Sequence, residues 1–455
     1  MKNFATQFWG RLQEYKERPA LHVVEEGKRV EVTFWEWTRR LQNLAVALME
    51  EGFEPGTRLG LVAPNSRGWL DLAMATWLVG GCVVPLVPGR ERRETLRCLG
   101  RSGCDWIAVA DRGAFEQLRG PGGQLPGHLR WVYVDGEASG EGEYDLKGLE
   151  EEGRSLVRRG RTRNLAERIY GLKAKDPTVI FFDPEPDEGS QGCFFSGEKV
   201  AWELDAIAGQ MGLKAEDEGV RVASALSYGW FSSFLFTVAA LVNGHSVAVA
   251  PSLRQLSEAS KTLRPTHLVC GPAYLEDLGK EWQRRLDDAP DLLRRLAGET
   301  GDPEADSTAI LRTLGSVGSV GERAVRRLLY DPIRADFGGQ LRSLYVWEGR
   351  ADEGLHEILN RAGVALLGHF GLPEAGLTHV EHPEARRRQS VGRPVEGVAV
   401  KIDGVKTGEV GEICVKGDVI FDGYWAGEGR LEVDDEGWLY TGRRGRLESG
   451  FLFLE

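Results

Sequence analysis

Apolar positions along this chain follow two periods in alternation, one of three to four residues and one of short continuous runs. Trp37, Leu41, Leu44, Ala45 and Leu48 fall on one helical face, and Gly52 marks the helix end. The run at 59–63 then reads as a buried strand, with Asn65-Ser66 as a cap for a helix carrying Trp69 and Trp77. Further short apolar runs at 106–110, 131–134, 178–182, 220–226, 246–250, 266–270 and 341–347 predict strands separated by helical stretches. That order implies right-handed βαβ units and parallel sheets covered on both faces. After Arg388 the texture changes. From Val398 onward short strands and glycine turns replace any helical period, which predicts a small β-rich unit. The pattern divides the chain into 1–175, 176–390 and 391–455. The stretches 136–164 and 281–306 read as charged surface connections.

Composition narrows the class. With 455 residues, 42% hydrophobic and 28% charged, the chain has the make-up of a soluble protein with a sizeable core. A net charge of -12 argues against nucleic acid or an anionic membrane as the main partner, because both need a basic surface. Six scattered cysteines without Cys-x-x-Cys spacing, and no apolar region behind the first lysine, fit a cytoplasmic protein with reduced thiols. The segment 69–88 is long and apolar enough to need a membrane check. Asp71, the Gly80-Gly81 break and the β-branched Val83-Val84 favour a buried helix followed by a buried strand, so no transmembrane segment is expected.

The last third carries the densest motifs. Ser390-Val-Gly-Arg-Pro-Val-Glu-Gly-Val398 leads to Thr407-Gly-Glu-Val-Gly-Glu-Ile-Cys-Val-Lys-Gly417 and then Gly437-Trp-Leu-Tyr-Thr-Gly-Arg443, with Phe370-Gly-Leu-Pro-Glu374 upstream. These blocks resemble those of the adenylate-forming (AMP-binding) synthetases, closest to the long-chain acyl-CoA synthetases. The resemblance implies an α/β fold of the acyl-CoA synthetase N-terminal type: two parallel-sheet subdomains in αβαβα layers plus a small β subdomain. It further implies ATP and Mg2+ as cofactors, CoA as the acceptor if the chain is active, and a fatty acid or acyl ligand. The sequence stops at Glu455 in what the pattern reads as mid-strand. By the resemblance, the family's small C-terminal domain and its lysine are absent, and a separate protein partner would have to supply them.

Adenylation needs amide donors, a cation and usually magnesium around the phosphates. The position of the family's phosphate loop reads Asp183-Pro-Glu-Pro-Asp-Glu-Gly-Ser-Gln-Gly192, where Gly192 matches and Gln191 replaces the lysine. Two prolines remove amide donors. Asp183, Glu185, Asp187 and Glu188 face a polyanion, and one like-charge pair at about 4 Å costs on the order of 4 kcal/mol at an effective dielectric of about 20. By resemblance Glu374 is the magnesium ligand, Phe370 the ring that stacks on adenine, and Gly371 its neighbour in the motif. Pro373 stands where a threonine hydroxyl would touch phosphate. In Thr441-Gly-Arg443 an arginine, which only donates, replaces the aspartate that accepts from ribose. Trp347-Glu-Gly-Arg-Ala351 replaces a small turn beside the adenine. Ala225-Leu-Ser-Tyr-Gly-Trp230 resembles the stretch near the carboxylate end of the acyl site, making Tyr228, Trp230 and Phe231 acyl-pocket candidates.

The plain alternatives stay open: a solvated or metal-binding acidic loop at 183–192, core packing for the aromatics, and a helix-entry loop at Gly315-Ser-Val-Gly-Ser-Val-Gly321. His379 and His382 read as surface histidines ahead of a metal pair. The functional reading is a long-chain acyl-CoA synthetase family protein that is catalytically impaired. Its alternatives are an active ATP-dependent fatty acid–CoA ligase, completed by a separate C-terminal domain, and a lipid-binding or scaffold protein.

Overall fold

The apolar segment at 69–88 folds as a helix, Arg67–Leu78, followed by a strand, Cys82–Pro85. Ser66 caps the helix by accepting the Trp69 N–H at 3.0 Å. Among the described residues no helix is long and apolar enough to cross a membrane. In this computed structural model the described residues are 3–120, 128–183, 190–214, 216–250, 253–290, 326–349, 351–406, 408–425 and 433–455.

Two eight-stranded sheets dominate. The first comprises β3 (Arg58–Val62), β4 (Cys82–Pro85), β5 (Trp106–Val109), β6 (Arg130–Tyr133), β7 (Glu143–Asp145), β8 (Pro177–Phe181), β9 (Cys193–Ser196) and β18 (Gly423–Tyr424), in spatial order β18-β9-β8-β4-β3-β5-β6-β7. The second comprises β1 (Pro19–Glu25), β2 (Lys28–Thr33), β10 (Arg221–Ser224), β11 (Ser246–Ala248), β12 (His267–Cys270), β13 (Ser343–Trp347), β14 (Ala365–Leu372) and β15 (Gly376–Val380), in order β15-β14-β13-β12-β10-β11-β1-β2. Both are parallel through the middle with antiparallel strands at one or both edges. A third sheet, wholly antiparallel, holds β16 (Ala399–Asp403), β17 (Gly411–Lys416), β19 (Leu439–Glu448) and β20 (Phe451–Leu454).

The helix Phe231–Val242 is buried at every residue, as a helix apolar all round must be. It lies between the two large sheets. Phe234 meets Phe181 of β8 at 5.7 Å and the Trp69 and Trp77 rings at 5.6 and 5.3 Å, while Phe236 meets Tyr345 of β13 at 5.1 Å. Asn65, expected only as part of a cap, instead joins the sheets. Its amide donates to Leu226 O at 2.8 Å and accepts the Tyr228 N–H at 2.7 Å.

The stretch expected as a surface connection at 136–164 holds β7 and a helix, Leu146–Arg158, whose Leu146, Leu149 and Leu156 are buried. Gly153 lies so close to the Phe34–Glu50 helix that a Cβ there would stand 1.8 Å from Asn43 O. His379 is likewise not at the surface. It is fully buried in β15, with Nδ1 2.9 Å from the Thr378 hydroxyl, because β15 is covered by β14 and the layer beneath it.

Asp71 is the one acidic residue in the apolar helix Arg67–Leu78. Its carboxylate is fully buried and accepts from Trp37 Nε1 at 2.7 Å and from Arg40, with Arg67 Nε 3.8 Å away. Burial raises its pKa from the ordinary carboxylate value, against the opposing pull of Arg40 and Arg67. Arg40 also pairs with Glu150 of the Leu146–Arg158 helix, so the network ties three helices together.

Candidate functional site

The motif Phe370-Gly-Leu-Pro-Glu374 forms the end of β14 and the turn into β15. The two strands approach so closely that a Cβ on Gly371 would stand 1.9 Å from Gly376 O. Gly371 is therefore required by the hairpin itself. Gly192 has a similar reason, since a Cβ there would lie 2.5 Å from Ile180 Cγ2.

Glu374 sits at the hairpin turn, partly buried. Its carboxylate accepts the Tyr424 hydroxyl at 3.3 Å, and its carbonyl accepts the Phe421 N–H at 2.9 Å. The segment carrying Tyr424 is sewn to β9, with Asp422 N–H on Phe194 O at 2.9 Å and Trp425 N–H on Gly192 O at 2.7 Å. Burial first, and then the Asp183 carboxylate, raises the Glu374 pKa above its ordinary value, with the Tyr424 bond opposing. Burial, and then Glu374 and Asp183, also push the Cys193 thiol well up. Asp183, Cys193, Glu374 and Tyr424 thus converge where β8, β9, β18 and the β14–β15 turn meet. Sequence reasoning missed Tyr424 and Cys193, and no spacing along the chain would have tied either to Glu374.

The acidic stretch itself is only partly visible. Glu185, Asp187 and Glu188 lie outside the described residues, as do Arg350 and the glycine loop at 315–321. At its two stems Arg90 Nη1 donates to Asp183 O at 3.5 Å and Arg101 donates to Ser190 O.

The aromatic candidates form a second group. Phe370 is 1% exposed, and its ring packs on Trp347 and His379 at 6.5 and 6.2 Å. Trp347, at the end of β13, also meets Phe231 at 5.5 Å, Trp230 at 6.3 Å and His369 at 5.3 Å. One indole therefore touches the ring the resemblance assigns to adenine and two of those it assigns to the acyl chain. Tyr228 stands apart from this group. It is 1% exposed with its ring 5.2 Å from Trp69, and burial drives its phenol well above the ordinary pKa. Beside it Gly229 lies flat on the backbone of Leu86 and Val87, where a Cβ would stand 2.3 Å from Val87 N.

Thr441 and Arg443 lie on β19 in the third sheet. The Thr441 hydroxyl donates to Ile413 O at 2.7 Å and accepts the Arg443 N–H at 3.2 Å, while Gly442 N–H goes to Glu412 Oε1 at 2.9 Å. The turn satisfies itself, and the Arg443 side chain is exposed. Among the described residues no group of three or more His, Cys, Asp or Glu side chains is arranged to hold a metal ion. A magnesium ion held by one carboxylate together with water and phosphate needs no such group, and Glu374 suits that role.

Comparison with known proteins agrees with this architecture. The profile of the AMP-binding enzyme family matches residues 8–182 and 192–425. The long-chain-fatty-acid–CoA ligase FadD15 of Mycobacterium bovis is 22% identical over 439 residues, covering 94% of this chain and 70% of that protein. Among solved structures, a long-chain-fatty-acid-CoA ligase (FadD1) from Archaeoglobus fulgidus superposes with a TM-score of 0.74 at 18% identity, over all of this chain and 84% of that one. The inhibitor-bound N-terminal domain of FACL13 from Mycobacterium tuberculosis does so with a TM-score of 0.73 at 18% identity, over all of this chain and 99% of that one. With the family match running through both large sheets and the β14–β15 turn, this chain belongs to the AMP-binding enzyme family, an adenylate-forming superfamily member close to the acyl-CoA synthetases.

Proposed function

We propose that this chain is a long-chain acyl-CoA synthetase family protein that has kept the fold and lost ATP-dependent adenylation. The observation that carries the reading is the position of Trp347. Its indole occupies the ground between Phe370 and the Trp230–Phe231 pair, so nucleotide and acyl chain would compete with the same side chain. Three further features support it. The Thr441 hydroxyl is committed to Ile413 O, Arg443 offers only donors where ribose needs an acceptor, and Asp183 sets a carboxylate beside Glu374.

The residues fit the two implied cofactors unequally. Glu374 suits one position on a hard cation, because a divalent ion would offset both the burial of its carboxylate and the repulsion from Asp183. Magnesium, when bound, would neutralise phosphate charge. The nucleotide does not fit at these positions: Arg443 offers no acceptor where the motif's aspartate would accept from ribose, and the Phe370 ring is packed against Trp347 and His379. The retained Glu374 and Gly371, the block at 390–397 and the family architecture favour an active fatty acid–CoA ligase instead.

A thermal-shift series with Mg-ATP, AMP, a long-chain fatty acid and an acyl-CoA separates the readings. A ligand at 100 times its dissociation constant adds about 2.7 kcal/mol to stability. Mg-ATP and AMP are expected to leave the melting temperature unchanged. A rise with Mg-ATP would favour the active ligase, and a rise with acyl ligands alone a lipid-binding role.

A further inference from the structure

Arg67, the first residue of the helix Arg67–Leu78, carries a guanidinium that makes no hydrogen bond among the described residues. The side chain is 28% exposed. Its Nε is buried and unbonded, 3.8 Å from Asp71 Oδ2, so the terminal nitrogens are the part within reach of a ligand. The carboxylates beside it are committed elsewhere. Asp71 accepts from Trp37 Nε1 and from Arg40, and Glu36 accepts the Thr33 N–H and hydroxyl, each at 2.9 Å. A guanidinium is a donor only, and here the protein gives it no acceptor.

Arg67 stands on the wall of a cavity of about 510 Å³ at the carboxyl ends of β1 and β11. These strands run parallel with His22 opposite Ala248, and the Val249 N–H donates to His22 O at 2.9 Å, which brings Val23 and Val249 side by side. With Ala259 of the helix Leu253–Leu263 they give the cavity an apolar floor. Val24 extends that floor and is 38% exposed, an apolar surface the fold leaves uncovered. Asn65 and Ser66 also line the cavity, but Asn65 bonds across the two sheets and Ser66 caps its helix. Arg67 is therefore the cationic group left for a ligand. Glu25 and Glu258 stand at the rim, with Lys28 opposite Glu25 and Arg29 opposite Val24 in the hairpin register. The volume is that of a small-molecule site, and α/β sheets receive ligands beyond the carboxyl ends of their parallel strands.

We propose that this cavity binds an amphipathic monoanion, with a carboxylate head on Arg67 and an apolar body over Val23, Val24, Val249 and Ala259. A guanidinium fork matches a carboxylate in geometry and charge. A single guanidinium, with Glu25 and Glu258 nearby, suits one negative charge better than the two of a phosphate monoester. In the sheet order β11 is three places from β13, roughly 14 Å at about 4.8 Å per step. The site is thus separate from the one around Trp347 and does not rest on the loss of adenylation.

Titration calorimetry of the full chain with sodium decanoate tests the assignment, with sodium acetate supplying the head alone and decanol the body alone. Decanoate is expected to bind and acetate not to. Arg67→Gln should bind decanoate about tenfold more weakly, the worth of a charged hydrogen bond, with decanol unaffected. Ala259→Trp, which fills the floor from the helix side, should weaken both decanoate and decanol. Arg163→Gln, on the exposed face of the helix Thr162–Gly171, should match the parent. Decanoate affinity equal to the parent's in either cavity variant, or no heat with decanoate, would overturn the proposal.

Discussion

Replacing Asp71 by alanine is expected to lower the unfolding free energy by about 3–5 kcal/mol, the usual cost of removing one partner from a buried ion pair. The carboxylate is fully buried and bonds both Trp37 Nε1 and Arg40. Its loss strands an indole N–H and leaves Arg40, itself largely buried, with Glu150 alone. Asp71→Asn keeps an acceptor for Trp37 and should cost less than Asp71→Ala. Urea unfolding of both variants measures the difference. If the alanine variant were as stable as the parent, the network would contribute nothing to folding.

The second large effect is a pH dependence centred on Glu203. This side chain is 1% exposed and accepts the Leu377 N–H at 2.6 Å. A Cβ on Gly376 would lie 2.1 Å from its carboxyl, so the carboxyl fills the space that a side chain at 376 would take. Burial raises its pKa from 4.5 to about 8. In the unfolded chain the carboxyl ionises near its ordinary value, whereas in the folded chain it holds its proton until about pH 8. Unfolding therefore releases a proton throughout that window. Stability is complete below the unfolded value and falls as pH rises, by about 1.4 kcal/mol per unit and roughly 5 kcal/mol in all. Glu203→Gln should be close to the parent at pH 5 and clearly more stable at pH 8, as read from denaturant midpoints. The same difference at both pH values would contradict an ionisation origin. The acid side has the opposite slope. Burial lowers His22 and His267 to about 4, and His369 and His379 to about 3, so the folded chain loses stability as pH falls below the ordinary histidine value.

The parallel strands were legible because each is a short apolar run between helical periods. Those around 106, 131, 178, 246 and 341 all lie within two residues of where the pattern places them. What periodicity does not carry is which strand lies beside which. β1 and β2, near the chain start, join the second sheet, and β18, more than 220 residues after β9, pairs with it in the first. The helix Leu146–Arg158 was hidden by its polar composition, since Leu146, Leu149 and Leu156 are sparse anchors among charges. His379 was misread because its neighbours His382 and Glu384 look like a surface turn, although β15 is a buried edge beside β14.

The candidate site was legible in part. Glu374 and the glycines were found through the motifs they share with the family, and Gly192 and Gly371 turn out to have packing reasons of their own. The contact between Trp347, Phe370 and Phe231 joins three segments far apart in sequence, so only the folded chain displays it.

Whether adenylation occurs at all is decided most directly by pyrophosphate release from Mg-ATP, with long-chain fatty acids and CoA present and a boiled sample as control. The placement of Trp347 against Phe370 and Phe231, and of Asp183 beside Glu374, predicts release no faster than in the boiled sample. Fatty-acid-dependent release above that level would contradict it.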